Sequence, residues 1–424
     1  MAGDKVKKYV KATIQFTLIS SLLGFLAMSF FVNKKIEDEG EVDPLMLTFF
    51  HETYDENREQ FRKLAASLQR EFSDVEVTKF SVKSEVDSDL TIDAVYIPAQ
   101  RERKKLIIMT SGVHGMEGFT GSAVQQYFMT QVLHGEALEN MGVLLIHAVN
   151  PYGFKYRRRV SENNVDMNRN FPIDKEVFAR KNEAYAKIYS FLNPQSRVKT
   201  GYFRNSLFFI NTLYMITKFS MRTLRESTVQ GQYEFSNGIF FGGNDFEPQK
   251  QWLEQLLIEK INDYAFVFLI DLHTGLGKRG KLHYLPGYAQ PPSSDTLLAQ
   301  LFKGYTIDWP NTEKEFYIPT GLFRQYVGNL ISPDKQFIRV AFEYGTLNSQ
   351  NITGASRSLH NMIIENQGFH HGYENSKTER LVKDRFREMF FPSSEIWRSQ
   401  IMKQTSEILP VLIDRYRSLV EPSH

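Results

Sequence analysis

Residues 12 to 32, ATIQFTLISSLLGFLAMSFFV, contain no charged side chain. Twenty-one residues at a helical rise of about 1.5 Å reach roughly 30 Å, the thickness of a bilayer's hydrocarbon core. A secretory signal carries a shorter apolar run that ends on small residues. This run ends on Phe30, Phe31 and Val32, so it reads as an uncleaved transmembrane helix. Lys5, Lys7, Lys8 and Lys11 precede it, and Lys34 and Lys35 follow. The positive-inside rule then puts the N-terminus in the cytoplasm and the rest of the chain on the extracytoplasmic side of a single-pass anchor. Residues 1–33 form the tail and anchor. Residues 34–43, with Glu37, Asp38, Glu39, Gly40 and Glu41, form a polar linker, and 44–424 form one globular domain.

Within that domain the pattern alternates between two periods. Leu47, Phe50, Tyr54, Phe61, Leu64 and Leu68 recur at helical spacing and predict a helix over 47–70. Strand-like runs begin at Val77, Leu90, Lys104, Met141, Tyr264 and Phe337. Several are continuously apolar, as strands covered on both faces are. Helical stretches lie between them, so the expected fold class is α/β, with a mixed, largely parallel central sheet flanked by helices. The apolar segment SLFFINTLYMITKFS from Ser206 is short for a membrane span and reads as a core or domain-surface helix, with membrane contact as the alternative. Leu409, Val411, Leu412, Tyr416 and Leu419 give the C-terminal stretch an apolar helical face.

Composition narrows the chemistry. A net charge of +2, with no basic stripe interleaved with aromatics, argues against a nucleic-acid partner. The chain has no cysteine, so a metal site must be built from histidine and carboxylate.

Three apolar strands end in such residues. KKLIIMTSG leads into Val113-His114-Gly115-Met116-Glu117-Gly118, and positions three apart on a helical turn face one side, so His114 and Glu117 can grip one ion. H-x-x-E alone is a weak motif. His273 ends YAFVFLIDLH and can complete a His, Glu, His set with a position left open for water; in isolation a buried structural histidine is the commoner explanation. Glu343 lies inside FIRVAFEYG, where a carboxylate needs a partner or a task, and is a candidate general base. Between these strands NPYGFKYRRRVSENNVDMNRNF carries Arg157, Arg158, Arg159, Asn168 and Arg169. Guanidinium forks bind carboxylates and stabilise oxyanions.

The ordered set of H-x-x-E after a strand, N-P-x-G, N-x-D-x-N-R-N-F, a strand-end histidine and a late F-E strand resembles the zinc carboxypeptidase superfamily over roughly residues 44–424. Within it, GQYEFSNGIFFGG from Gly231 and DLHTGLG from Asp271 are similar to a bacterial branch known as a domain of unknown function. The resemblance implies one Zn²⁺ held by His114, Glu117 and His273, with Glu343 as the catalytic glutamate. It implies that Asn168 and Arg169 grip a substrate carboxylate, together with Arg159. One arginine of 157–159 would polarise the scissile carbonyl, with Arg158 favoured. The superfamily's capping tyrosine has no clear match; Tyr317 and Tyr326 are the nearest candidates. The implied activity is cleavage of an amide bond in a peptide with a free carboxylate. The alternatives are a deacylase of N-acyl amino acids, since such amidohydrolases share the D-L-H and N-R elements, and a non-catalytic membrane-anchored scaffold.

Overall fold

The computed structural model describes residues 2–288, 291–310 and 319–419. Seven strands form one sheet: β1 (Glu76–Ser81), β2 (Thr91–Ile97), β3 (Lys105–Thr110), β4 (Met141–His147), β5 (Phe266–Gly275), β6 (Leu282–Pro286) and β7 (Gln336–Gly345). Their order is β1-β2-β4-β3-β5-β7-β6. The four central strands, β4, β3, β5 and β7, run parallel, and antiparallel pairings finish both edges. The mixed α/β architecture with a parallel centre is the one expected from the hydrophobic pattern.

The continuous apolar runs serve two cores at once. Along β3, Ile107 and Met109 join one cluster while Leu106 and Ile108 join the other, because successive strand side chains point to opposite faces. The first face is covered by the helices Tyr54–Glu71, Gly118–Tyr127 and Glu395–Ser418, and the second by Gln249–Asn262 and Phe323–Leu330. β3 is followed in sequence by its neighbour on one side, β4, whereas the chain after β5 continues to the other side, to β6 and β7. The strand order therefore reverses between β3 and β5, the point of an open α/β sheet where ligands bind, outside the carboxyl ends of its strands.

Two local expectations shift. The helix expected over 47–70 is interrupted. A short turn at Pro44–Leu47 ends, and Thr53 begins a new helix through a capping box with Glu56, a start signal stronger than the continuing apolar spacing. Strand β6 is an addition; its five residues are too few to show a period.

The N-terminal helix runs Ala2–Asn33. Its part from Thr13 to Asn33 is long and apolar enough to cross a membrane and is almost wholly unburied. The segment after it is docked on the domain: Asp38 and Arg279 form a two-pronged ion pair at 2.6 and 2.7 Å, and Glu39 O accepts from Gln400.

Ile108 is fully buried in the parallel centre. Ile108→Ala should lower the unfolding free energy by roughly 2–5 kcal/mol, read from urea unfolding of the detergent-solubilised chain.

Candidate active site

β3 delivers the first two groups. After Thr110 the chain turns at Gly112 (φ 66) and enters a single 3-10 turn, Gly115–Glu117. A side chain on Gly115 would strike the backbone of Gly153 at 2.0 Å, so only glycine lets this turn sit against the Pro151–Lys155 helix. The turn brings His114 Nδ1 to 2.8 Å from Glu117 Oε1. β5 delivers the third. His273 Nδ1 lies 2.8 Å from Glu117 Oε2, and Thr274 N donates to the same oxygen at 3.0 Å. Candidate ligand atoms of His114, Glu117 and His273 all lie within 4.8 Å of one another, and all three residues are buried.

The outer ring nitrogens are also engaged. His114 Nε2 lies 3.1 Å from Asp166 Oδ1, and His273 Nε2 lies 2.7 Å from Asp271 Oδ2. Asp271 accepts from Thr110 Oγ1 at 2.6 Å, and Asp166 accepts from the Asn168 amide and from Arg159 Nε. Each imidazole thus turns Nδ1 inward and Nε2 toward a fully buried carboxylate. Outer partners of this kind fix the tautomer and orientation of a metal-binding histidine. Neither aspartate was singled out by the sequence reasoning. Asp271 is two residues before His273 on one strand, so both project to the same face, and D-x-H is the signal that was there to read. Asp166 sits inside N-x-D-x-N-R-N-F, where an aspartate beside an asparagine and an arginine carries no metal-site spacing of its own.

Glu343 comes from β7. In the parallel register it is the direct partner of His273, so both side chains point to one face. One carboxylate oxygen accepts from Leu276 N at 2.8 Å. Burial and then the negative charge of Glu117 push Glu343 up to about 7. Burial also opposes the charge of Glu117, but the His114 charge and hydrogen bonds from both histidines outweigh it and hold that carboxyl below its usual range. Burial likewise works against a charged His273, yet Asp271 and Glu117 overcome it and push the imidazole up to about 10.

The arginine stretch divides. The chain turns at Arg157 (φ 55), and Arg158 and Arg159 then project to different sides. Arg159 is the arginine at the cluster, with Nη2 2.7 Å from His114 Nε2 and Nη1 3.3 Å from Glu117 Oε1. Arg158, favoured from the sequence, is committed elsewhere: Nε donates to Glu365 at 2.8 Å, Nη2 to Asn164 at 3.2 Å, and the guanidinium lies 3.6 Å from the Phe369 ring centre. Its register is one residue away from the position that meets His114 and Glu117. Asn168 and Arg169 occupy a turn directly after Asp166; Asn168 Oδ1 accepts from Phe323 N, and Arg169 packs on Gly231. Tyr326 packs near Phe171 and Lys250. Tyr317 lies outside the described residues. Two further groups border the site: Arg324 Nε is 3.7 Å from Asp271 Oδ2, and Tyr233 Oη donates to Arg169 O at 2.8 Å.

Two histidines and Glu117 thus meet beyond the strand ends where the strand order reverses, as a buried group that could hold a metal ion, with Glu343 on the neighbouring strand. The sequence matches the family described as "Protein of unknown function (DUF2817)" over residues 50–404, and the chain belongs to that family. No curated protein matches it. Solved structures to which it is similar include carboxypeptidase A from Helicoverpa armigera, at 14% identity and a TM-score of 0.43, covering 80% of this chain and 74% of that one. Bovine thrombin-activatable fibrinolysis inhibitor, in complex with tick carboxypeptidase inhibitor, matches at 12% identity and a TM-score of 0.40, covering 80% and 96%. The ectoine utilization protein EutE (DoeB) from Ruegeria pomeroyi matches at 11% identity and a TM-score of 0.35, covering 71% and 69%.

A cation held by the two Nδ1 atoms would compete with a proton on His273, whose imidazole Asp271 and Glu117 push up against the effect of burial. Zinc affinity should therefore rise with pH, by up to about tenfold per unit between pH 6 and 9, in competition titrations against a chelating dye. In the same assay Asp271→Asn should weaken zinc binding roughly 10–100-fold.

Proposed function

We propose that the chain is a zinc-dependent hydrolase that cleaves an amide bond in a substrate carrying a free carboxylate, and that the N-terminal helix holds it at a membrane. The observation that carries this reading is the orientation of the two imidazoles: both Nδ1 atoms face the Glu117 carboxylate while both Nε2 atoms are tied to buried aspartates. Two nitrogens and one carboxylate, with outer carboxylates behind them, are a donor set that suits zinc and leaves a position open. A zinc ion held there would supply Lewis acidity toward a water and toward the scissile carbonyl.

The remaining work falls to the chain's own side chains. Glu343, beside His273 and titrating near 7, takes the proton from the attacking water and passes it to the leaving amine. Its oxygen held by Leu276 N fixes the carboxylate's orientation. One ring nitrogen cannot both donate to Asp166 and accept from Arg159. Were Nδ1 of His114 to hold an ion, its Nε2–H would go to Asp166. Arg159 then keeps Nε on Asp166 and turns its other nitrogens to the developing oxyanion. Asn168 and Arg169, in the turn that follows Asp166, serve to orient the substrate carboxylate.

The apolar, unburied stretch Thr13–Asn33 supports the anchor, and the lysines before it favour an extracytoplasmic domain. An intact N-terminus on the membrane-fraction protein would separate an anchor from a cleaved signal.

Glu343→Gln should retain zinc and lose roughly 10²–10⁴-fold in turnover, whereas His273→Ala should lose the metal itself. Both are measured by metal analysis alongside hydrolysis of short peptides and of N-acyl amino acids. Cleavage of peptides identifies a carboxypeptidase, and cleavage of N-acyl amino acids alone a deacylase. Full turnover by Glu343→Gln would refute the mechanism, and purified wild type without zinc affinity would leave a scaffold.

A further inference from the structure

A cavity of about 660 Å³ opens where the N-terminal helix ends, lined by that helix's last turn and by the helices Tyr202–Val229, Ile352–His371 and Ser376–Phe390. No residue of the histidine cluster lines it. Its walls are cationic: Lys34, Lys35, Arg279, Arg357, Arg385 and Arg387 face Asp384 and Glu388. Arg279 is matched by Asp38, and Arg387 by Glu52 at 2.6 Å. Among the described residues, Arg357 and Arg385 form no ion pair. Arg357 Nη2 donates to the carbonyls of Val32 (2.7 Å) and Lys34 (3.1 Å), and Arg385 Nη1 to Asn205 Oδ1 (3.1 Å). Burial holds both guanidiniums below their ordinary values, and the Arg357 charge adds to the effect on Arg385. Two half-buried cations beside each other cost free energy that a bound anion would offset.

The helix along one wall is apolar on two sides. Toward the domain Phe208, Met215, Ile216 and Phe219 pack with Ile188 and Phe191, while Asn205 and Ser206 bond to Asn33 of the N-terminal helix and Thr212 meets Ser356. Its outer side carries Phe203, Leu207, Ile210 and Tyr214, spaced to form one stripe. Leu207 is 57% exposed while Ser206 beside it is 0% exposed. A helix apolar on both its inner and its outer side is one that lies in a core or in lipid. In lipid, polar and small side chains join helices and apolar ones face acyl chains. Phe25 of the N-terminal helix stacks on Phe203, with ring centres 6.2 Å apart. The stripe therefore continues the apolar surface of the anchor, and the basic cavity sits at the end of both.

We propose that this cavity seats an anionic phospholipid, with its phosphate between Arg357 and Arg385, Lys34 and Lys35 at the rim, and its acyl chains along Phe203, Leu207 and Ile210. Guanidinium forks match phosphate geometry, and basic pockets beside membrane helices take anionic head groups. The proposal rests on the anchor reading, because the lipid must reach the cavity from a bilayer.

The test uses the full chain in nanodiscs of equal phosphatidylcholine and phosphatidylglycerol, with retained lipid read by native mass spectrometry. Phosphatidylglycerol should be enriched roughly tenfold or more over phosphatidylcholine. Arg385→Gln should abolish the enrichment and Arg385→Lys should keep part of it. Should Arg385→Gln fail to fold by near-UV circular dichroism, the double variant Lys34→Gln, Lys35→Gln, whose side chains are exposed, decides: reduced enrichment supports the seat and unchanged enrichment overturns it. Equal retention of both lipids by a chain that enters the nanodiscs overturns the seat and leaves the anchor standing. Failure to enter pure phosphatidylcholine nanodiscs overturns both. If inorganic phosphate raises the melting temperature in detergent as much as phosphatidylglycerol does, the ligand is a free anion and the lipid assignment is wrong.

Discussion

The Glu117 carboxylate, 1% exposed, is the constraint around which the site is organised. A negative charge withdrawn from water is tolerated only where opposing charge and hydrogen bonds replace its hydration. Here two imidazoles, the Thr274 amide and Arg159 do so. Each imidazole is in turn held by its own aspartate. The result is a chain of alternating acid and base from Asp166 through His114, Glu117 and His273 to Asp271, anchored on β3, β5 and the turn at Asp166. None of these side chains can rotate without leaving a buried polar atom unmet.

Strand register supplies the rigidity. His273 and Glu343 are adjacent because β5 and β7 pair in parallel along their full length, and Thr110 braces Asp271 from β3 on the other side. Charge of one sign is thereby brought together: burial first, and then the negative charge of Glu117, lifts Glu343 toward neutrality. The two carboxyl groups are pushed apart in acidity, Glu117 below its usual range and Glu343 above it.

Much of this was legible from residue order, for physical reasons that also mark its limits. Apolar runs on both faces of β3, β4 and β5 announce a covered parallel sheet, whereas β6 is too short to announce anything. His114 and Glu117 share a turn and so declare their spacing. The convergence of His273 on them depends on strand order, which no local pattern encodes. The arginines show the same limit: three consecutive guanidiniums look equivalent until the positive φ at Arg157 decides which side each faces, and the resemblance favoured Arg158 where the fold presents Arg159. The Tyr202–Val229 helix was legible as apolar, but its outward-facing stripe appears only once its neighbours are known.

The clasp between Asp38 and Arg279, with Arg357 gripping the last carbonyls of the N-terminal helix, leaves only a few residues between that helix and the body of the protein. Such a joint removes the swivel that a longer tether would allow. The cluster of His114, Glu117 and His273 is then held at a fixed distance and tilt from the axis of that helix.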